Sequence, residues 1–115
     1  MKLKKKMNNV FKKFTNNKFY QTGSRTYSAA NTHPTISLGT GTGYIITGNT
    51  FGYATNSGTG AYSMLSTFDC RYIGIFATFS LSGTNRISNN TFRSFLLSTA
   101  TGPSATTGVW CAINV

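Results

Sequence analysis

Residues 70–81 read Cys-Arg-Tyr-Ile-Gly-Ile-Phe-Ala-Thr-Phe-Ser-Leu, an apolar and aromatic run without proline. Alternation with a period of two places successive side chains on opposite faces, as in a β-strand. One face would carry Ile73, Ile75, Ala77, Phe79 and Leu81, and the other Tyr72, Gly74, Phe76, Thr78 and Ser80. Since both faces carry aromatic bulk, we expect this segment to be the central strand of a sheet.

The rest of residues 28–115 repeats this character at short intervals, with Ser, Thr, Gly and aromatic residues and almost no charge. Turn-forming residues separate further candidate strands at 35–38, 43–47, 50–54, 61–68, 91–98 and 107–115. This pattern predicts an all-β fold, specifically a small antiparallel β-sandwich, jelly-roll-like or Ig-like. The recurring Thr-Gly pairs are interpreted as turns, so no long-period repeat is predicted.

The charge of the chain is concentrated at its start. The chain contains eleven Lys or Arg residues and a single acidic residue, which gives a formal net charge of +10. A polyanionic partner is therefore expected. Eight of the cations precede residue 26 and are the predicted nucleic-acid-binding set: Lys2, Lys4, Lys5, Lys6, Lys12, Lys13, Lys18 and Arg25.

Residues 1–27 are predicted to form a basic, partly helical N-terminal arm, and residues 28–115 the β-sandwich module. Apolar residues of the arm recur at helical spacing, which favours an amphipathic helix over about residues 2–15. A helix of this length is marginal alone and needs a partner for its apolar face. The predicted docking face consists of Leu3, Met7, Val10, Phe11 and Phe14.

The residue inventory argues against an enzyme. One aspartate, Asp69, and one histidine, His33, cannot supply paired carboxylates or a divalent-metal shell. The glycines of 39–43 are not followed by the Lys-Ser/Thr ending of a phosphate-binding loop. Cys70 and Cys111 are expected to be buried thiols. We therefore predict no catalytic residues, no cofactor, no metal and no small-molecule substrate.

A basic arm ahead of a β-sandwich resembles the general plan of small icosahedral virus capsid proteins. The resemblance implies an arm that faces the packaged genome and partners that are copies of the chain or major capsid subunits. We predict a structural component of a virion, either a capsid, minor capsid, cement or fibre-base protein, with sequence-unspecific binding of nucleic acid. The arm also fits an interfacial helix on an anionic membrane surface.

An alternative interpretation is a mitochondrial presequence ahead of a small β protein of an organellar complex. The arm is cationic and free of acidic residues, and Arg25-Thr26-Tyr27-Ser28 resembles a processing site. Against this, presequences favour arginine, whereas this arm carries seven lysines and one arginine.

Overall fold

A computed structural model of the chain describes residues 11–80, 82–99 and 109–115. These residues form strands and connecting turns, and no helix is found among them. The strands are β1 (Lys12–Thr15), β2 (Lys18–Phe19), β3 (Arg25–Tyr27), β4 (Asn31–Gly41), β5 (Tyr44–Thr47), β6 (Thr50–Gly52), β7 (Tyr62–Ser66), β8 (Cys70–Phe79), β9 (Arg86–Ser88), β10 (Thr91–Arg93), β11 (Phe95–Ser98) and β12 (Trp110–Asn114).

The strands form three successive coils of a parallel β-solenoid. Coil 1 contains β1–β4, coil 2 contains β5–β8 and coil 3 contains β9–β12. Each strand of coil 2 pairs in parallel with one strand of coil 1 and one of coil 3. The result is four three-stranded sheets, named here in chain order: sheet A (β1, β5, β9), sheet B (β2, β6, β10), sheet C (β3, β7, β11) and sheet D (β4, β8, β12).

The all-β prediction is confirmed, but the antiparallel pairing predicted for the sandwich is wrong in the described residues. The candidate strands lie close to their predicted positions, and β8 is the middle strand of sheet D, as expected for residues 70–81. Alternation shows which residues are extended and half-buried, and it carries no information about strand direction. Here each strand pairs with its counterpart one coil away, because the chain winds rather than folding back in hairpins.

The expectation of no long-period repeat is also wrong. A hexapeptide recurs at the corner between sheets A and B in every coil: Phe-Thr-Asn-Asn-Lys-Phe at 14–19, Ile-Thr-Gly-Asn-Thr-Phe at 46–51 and Ile-Ser-Asn-Asn-Thr-Phe at 87–92. Its third residue has positive φ each time, at Asn16 (56°), Gly48 (69°) and Asn89 (54°). Asn and Gly tolerate this left-handed conformation best, and it turns the chain from one sheet into the next.

The predicted arm contributes three strands to the solenoid. Residues 12–15 are β1 and not the end of a helix, so the helical prediction is wrong there; its earlier part lies outside the described residues. β1, β2 and β3 pair with β5, β6 and β7 of coil 2. Whether 1–27 and 28–115 act as separate domains stays a prediction, although the described part of the first segment belongs to the same sheets as the second.

Packing overrides helical periodicity at Phe14. This side chain packs against the buried core, whereas Phe11 is 43% exposed. The other members of the predicted docking face, Leu3, Met7 and Val10, lie outside the described residues. Phe11 and Phe14 therefore do not share one apolar helical face, because Phe14 in β1 packs against the core while Phe11 is exposed.

The core is a set of columns that run from coil to coil. Ile46, Phe51 and Ile75 of coil 2 are each 0% exposed. Each is flanked in register by an apolar residue of coil 1 and one of coil 3. Phe51 stacks between Phe19 and Phe92, with ring centroids 4.9 and 4.6 Å away. Burial of these columns is the main force that holds the coils together.

Candidate nucleic-acid interface

The described members of the predicted nucleic-acid-binding set all lie in coil 1. Lys12 and Lys13 are in β1, Lys18 is in β2 and Arg25 is in β3, and all four are exposed. They are spread over sheets A, B and C and do not form one compact patch. Lys2, Lys4, Lys5 and Lys6 lie outside the described residues.

Lys12 is held against the buried ring of Tyr44. Its Nζ lies 4.9 Å from the ring centroid and donates a hydrogen bond of 3.5 Å to the tyrosine hydroxyl. A cation over an aromatic face gains electrostatic stabilisation from the ring. Lys12 is therefore partly engaged within the fold.

Lys18 lies in a cleft on the outer face of sheet B. The cleft has a volume of about 240 Å³ and crosses all three coils. Its lining residues are Lys18 and Tyr20 from coil 1, Thr50, Gly52, Tyr53, Thr55, Asn56, Ser57 and Gly58 from coil 2, and Thr91 and Arg93 from coil 3. Gly52 contributes no side chain to the floor. We call this feature the sheet B cleft.

One wall of the sheet B cleft is the loop of residues 53–61, which leaves the solenoid after β6. Thr55 orders the loop: its hydroxyl accepts a hydrogen bond from the Thr59 N–H at 3.1 Å and lies 2.7 Å from the Thr59 hydroxyl. Lys18 Nζ then donates to the Asn56 carbonyl at 2.9 Å, which ties the loop to coil 1. The wall is thus positioned by contacts both within the loop and across coils.

The groups in the sheet B cleft suit a phosphate-bearing polymer. Lys18 and Arg93 supply positive charge from opposite ends of the coil stack, and Tyr20 is 42% exposed. Cations bind backbone phosphates, and exposed aromatic rings stack on unpaired bases. Hydroxyls of Thr50 and Thr91 add neutral donors. The cleft is half-open and has both polar and apolar lining, which suits a strand with charged phosphates and flat bases lying across it.

The predicted nucleic-acid-binding set did not include Tyr20 or Arg93. Both directly follow the last phenylalanine of the hexapeptide, in Phe19-Tyr20 and Phe92-Arg93. Strand alternation then places them on the outward face of sheet B, since the preceding phenylalanines point inward. Alignment of the three hexapeptides would have predicted that Arg93 lies on the same outward face of sheet B as Lys18.

His33 lies in β4. Its ring centroid is 4.1 Å from that of Tyr27, and its Nε2 is buried without a hydrogen-bond partner among the described residues. Burial, and then the positive charge of Arg25, lower the pKa of His33 below its usual 6.5. An imidazole in this setting favours the neutral form and acts as a packing group.

The cysteines are both free thiols. Cys70 is buried, as predicted, and its Sγ–H donates to the Ala29 carbonyl at 3.5 Å. Cys111 is only half-buried and donates to the Ile113 carbonyl at 3.2 Å.

Across residues 11–80, 82–99 and 109–115, no three His, Cys, Asp or Glu side chains come together in a way that could hold a metal ion. The same residues include no helix long and apolar enough to cross a membrane. Comparison of the sequence with protein-family models and curated proteins, and of the structure with solved structures, finds no match.

Proposed function

We propose that this protein is a non-enzymatic structural component of a virus or phage particle, whose basic first coil contacts nucleic acid or the inner surface of a shell. Capsid, minor capsid, cement and fibre-base proteins all have this general role. The observation that supports the proposal most directly is the sheet B cleft, which places Lys18 and Arg93 beside the exposed ring of Tyr20. These groups bind phosphate and stack on bases without reading sequence.

The solenoid supports a structural role because its strands hold several cations at defined positions on the surface. Lys13, Lys18 and Arg25 are all exposed on strands of coil 1. The described fold holds one acidic residue, Asp69, so little negative charge opposes a polyanion. A positive surface that is already ordered loses less conformational entropy on binding than a flexible tail does.

The salt dependence of nucleic-acid binding tests this proposal. We expect the logarithm of affinity for a single-stranded oligonucleotide to fall linearly with the logarithm of salt concentration. Each lost phosphate contact should reduce the slope by about 0.7. The double variant Lys18→Gln with Arg93→Gln should therefore lower the slope by about 1.4, as measured by fluorescence anisotropy over a salt series.

The matched control is Arg71→Gln, which removes a cation from β8 in sheet D, away from the sheet B cleft. This variant should keep the wild-type slope, because Arg71 makes no contact in the sheet B cleft. A loss of slope of about 0.7 in the control, half the loss of the double variant, would mean that only net charge matters, and the cleft would not be the interface. Absence of any salt-dependent binding by the wild-type chain would overturn the nucleic-acid part of the proposal.

The mitochondrial alternative meets a physical obstacle. Processing before or after Ser28 would remove β1, β2 and β3, and with them Phe14 and Phe19, which pack against the core. The remaining chain would keep only β4 from coil 1. N-terminal sequencing of the protein isolated from its natural source separates the two proposals: a start near Ser28 favours the presequence, and a start at Met1 favours the particle protein.

A further inference from the structure

Both ends of the coil stack present open strand edges within the described residues. The strands of coil 1 and of coil 3 pair on one side only, with coil 2. Unpaired strand edges carry N–H and C=O groups that readily accept a further strand. We propose that coil 3 of one copy stacks on coil 1 of a second copy, in the same parallel register that joins coils within the chain. This inference goes beyond the proposed function and does not rest on nucleic-acid binding.

The asparagines of the hexapeptide make the two ends complementary. Asn17 donates from both its backbone N–H and its side-chain Nδ2 to Asn49 Oδ1, at 2.9 and 3.1 Å. Asn49 donates in the same way to Asn90 Oδ1, at 3.0 Å from each nitrogen. Continuing the pattern, Asn90 would donate to Asn17 Oδ1 of a second copy.

A second set of hydrogen bonds runs in the opposite direction along this column. Asn49 Nδ2 donates to the Phe14 carbonyl at 2.7 Å, and Asn90 Nδ2 donates to the Ile46 carbonyl at 2.9 Å. In both cases the acceptor lies at the same hexapeptide position, one coil earlier. In the stack, Asn17 Nδ2 of the second copy would donate to the Ile87 carbonyl. Each end therefore supplies the donors and acceptors that the other end lacks.

The apolar columns match in the same register. Phe19 and Phe92 both pair with Phe51, and Ile36 and Ile113 both pair with Ile75. Stacking would place Phe19 over Phe92, and Ile36 over Ile113, so each column continues with like residues. Ile75 is 0% exposed between two coils, whereas Ile113 at the end is 41% exposed. A second copy would cover Ile113 as coil 3 covers Ile75.

One charge pair opposes the stack and makes it testable. Lys13 and Arg86 both pair with Ile45 and are both exposed. Coil 1 of a second copy would therefore bring Lys13 directly against Arg86, and like charges on adjacent strands destabilise pairing. Because salt screens exposed charges, stacking should strengthen as salt is raised.

Sedimentation velocity of the full chain without nucleic acid tests this arrangement. Arg86→Glu and Lys13→Glu each replace the repulsion with an attraction, so each should form stacks at about tenfold lower protein concentration at low salt. The double variant Lys13→Glu with Arg86→Glu restores a like-charge pair and should behave as wild type. Single variants that sediment as wild type, or a double variant that assembles more strongly than either, would overturn the proposal.

A substitution at the open end supplies an independent check. Ile113→Lys places a charge in the column that stacking would bury, and it should abolish assembly in the Arg86→Glu background. Val115→Lys is the matched control, because Val115 is 68% exposed and lies past the end of β12; it should leave assembly unchanged. Circular dichroism of each variant distinguishes loss of stacking from loss of folding. Persistent assembly of a folded Ile113→Lys variant would contradict stacking through this end.

Discussion

Asn49 is 0% exposed at the corner between sheets A and B and fills its hydrogen-bonding capacity there. Its Oδ1 accepts from Asn17, and its Nδ2 donates to Phe14 and Asn90, so the residue connects all three coils. A buried amide is costly unless it is satisfied, and once satisfied it fixes one arrangement of its neighbours. This residue therefore sets the register between coils.

Replacing Asn49 should be among the most damaging single changes in the chain. Asn49→Ala removes its side-chain hydrogen bonds to Asn17, Phe14 and Asn90, at roughly 1 kcal/mol for each bond. We expect the free energy of unfolding to fall by about 3–4 kcal/mol, as measured by urea denaturation. Asn56→Ala, in the exposed loop of the sheet B cleft, is the control and should stay within about 0.5 kcal/mol of wild type. Similar losses for both variants would argue against a special role of the column.

His33 should make stability depend on pH. Its pKa is lowered in the folded state by burial and by Arg25, so the unfolded chain binds the proton more readily. The free energy of unfolding therefore keeps its full value above the unfolded pKa of 6.5 and decreases as pH falls below it. Few other side chains titrate in this pH range, because the chain has a single acidic residue and a single histidine.

Thermal melts between neutral and mildly acidic pH test the role of His33. The wild-type midpoint should drop as pH falls through 6.5, and His33→Asn should flatten this dependence. Arg25→Gln should reduce it in part, because it removes the second cause of the lowered pKa. An unchanged pH dependence in His33→Asn would assign the effect to another group.

At the scale of elements, sheet B is held by a column of aromatic rings. Phe51 in β6 is 0% exposed and stacks on Phe19 of β2 and Phe92 of β10. Phe92 also meets the Trp110 ring edge-on at 6.2 Å, which links sheet B to sheet D across the interior. Middle and end positions of the column therefore differ in how much surface they bury.

This difference predicts unequal costs along the column. Phe51→Ala should lower the free energy of unfolding by about 3–5 kcal/mol, because it opens a cavity between two rings that cannot easily collapse. Phe19→Ala, at the half-buried end of the same column, should cost clearly less. Urea denaturation of the two variants measures the comparison. Equal losses would mean that the ends of the column are as well packed as its middle.

At the scale of the whole molecule, each coil pairs only with its neighbours. Coil 2 is covered on both sides and contains Ile46, Phe51 and Ile75, all 0% exposed, whereas coils 1 and 3 have open edges in the described residues. In such repeat architectures stability is a sum of coil and interface terms, so each added interface stabilises the unit. Stacking of copies would extend this gain beyond three coils.

The two proposals are compatible in geometry. In a stack that keeps the register, Lys18 recurs once per copy on the same face of sheet B. Three strand spacings of about 4.8 Å give a repeat of about 14 Å along the axis. A nucleic-acid strand could then follow the sheet B clefts of successive copies. The sheet B cleft and the stacking contacts involve different residues, so either proposal could fail while the other holds.

The sequence by itself determined the strand content and the concentration of positive charge. Residues 70–81 form the middle strand of a sheet, and most candidate strands are strands in the structure, because alternation and turn residues act locally. Lys12, Lys13, Lys18 and Arg25 could also be identified from composition, and they are exposed as expected of charged residues.

Only the tertiary structure decided how the strands pair and which residues meet. Hexapeptide asparagines that touch across coils are separated by 32 residues between coils 1 and 2 and by 41 residues between coils 2 and 3. Loops of unequal length therefore hide the repeat from any search at a fixed period. Because the chain winds into coils, Phe14 packs against the core and is not part of a helix. The same winding places Arg93 in the sheet B cleft together with Lys18. These contacts arise from packing between coils, which local sequence pattern does not encode.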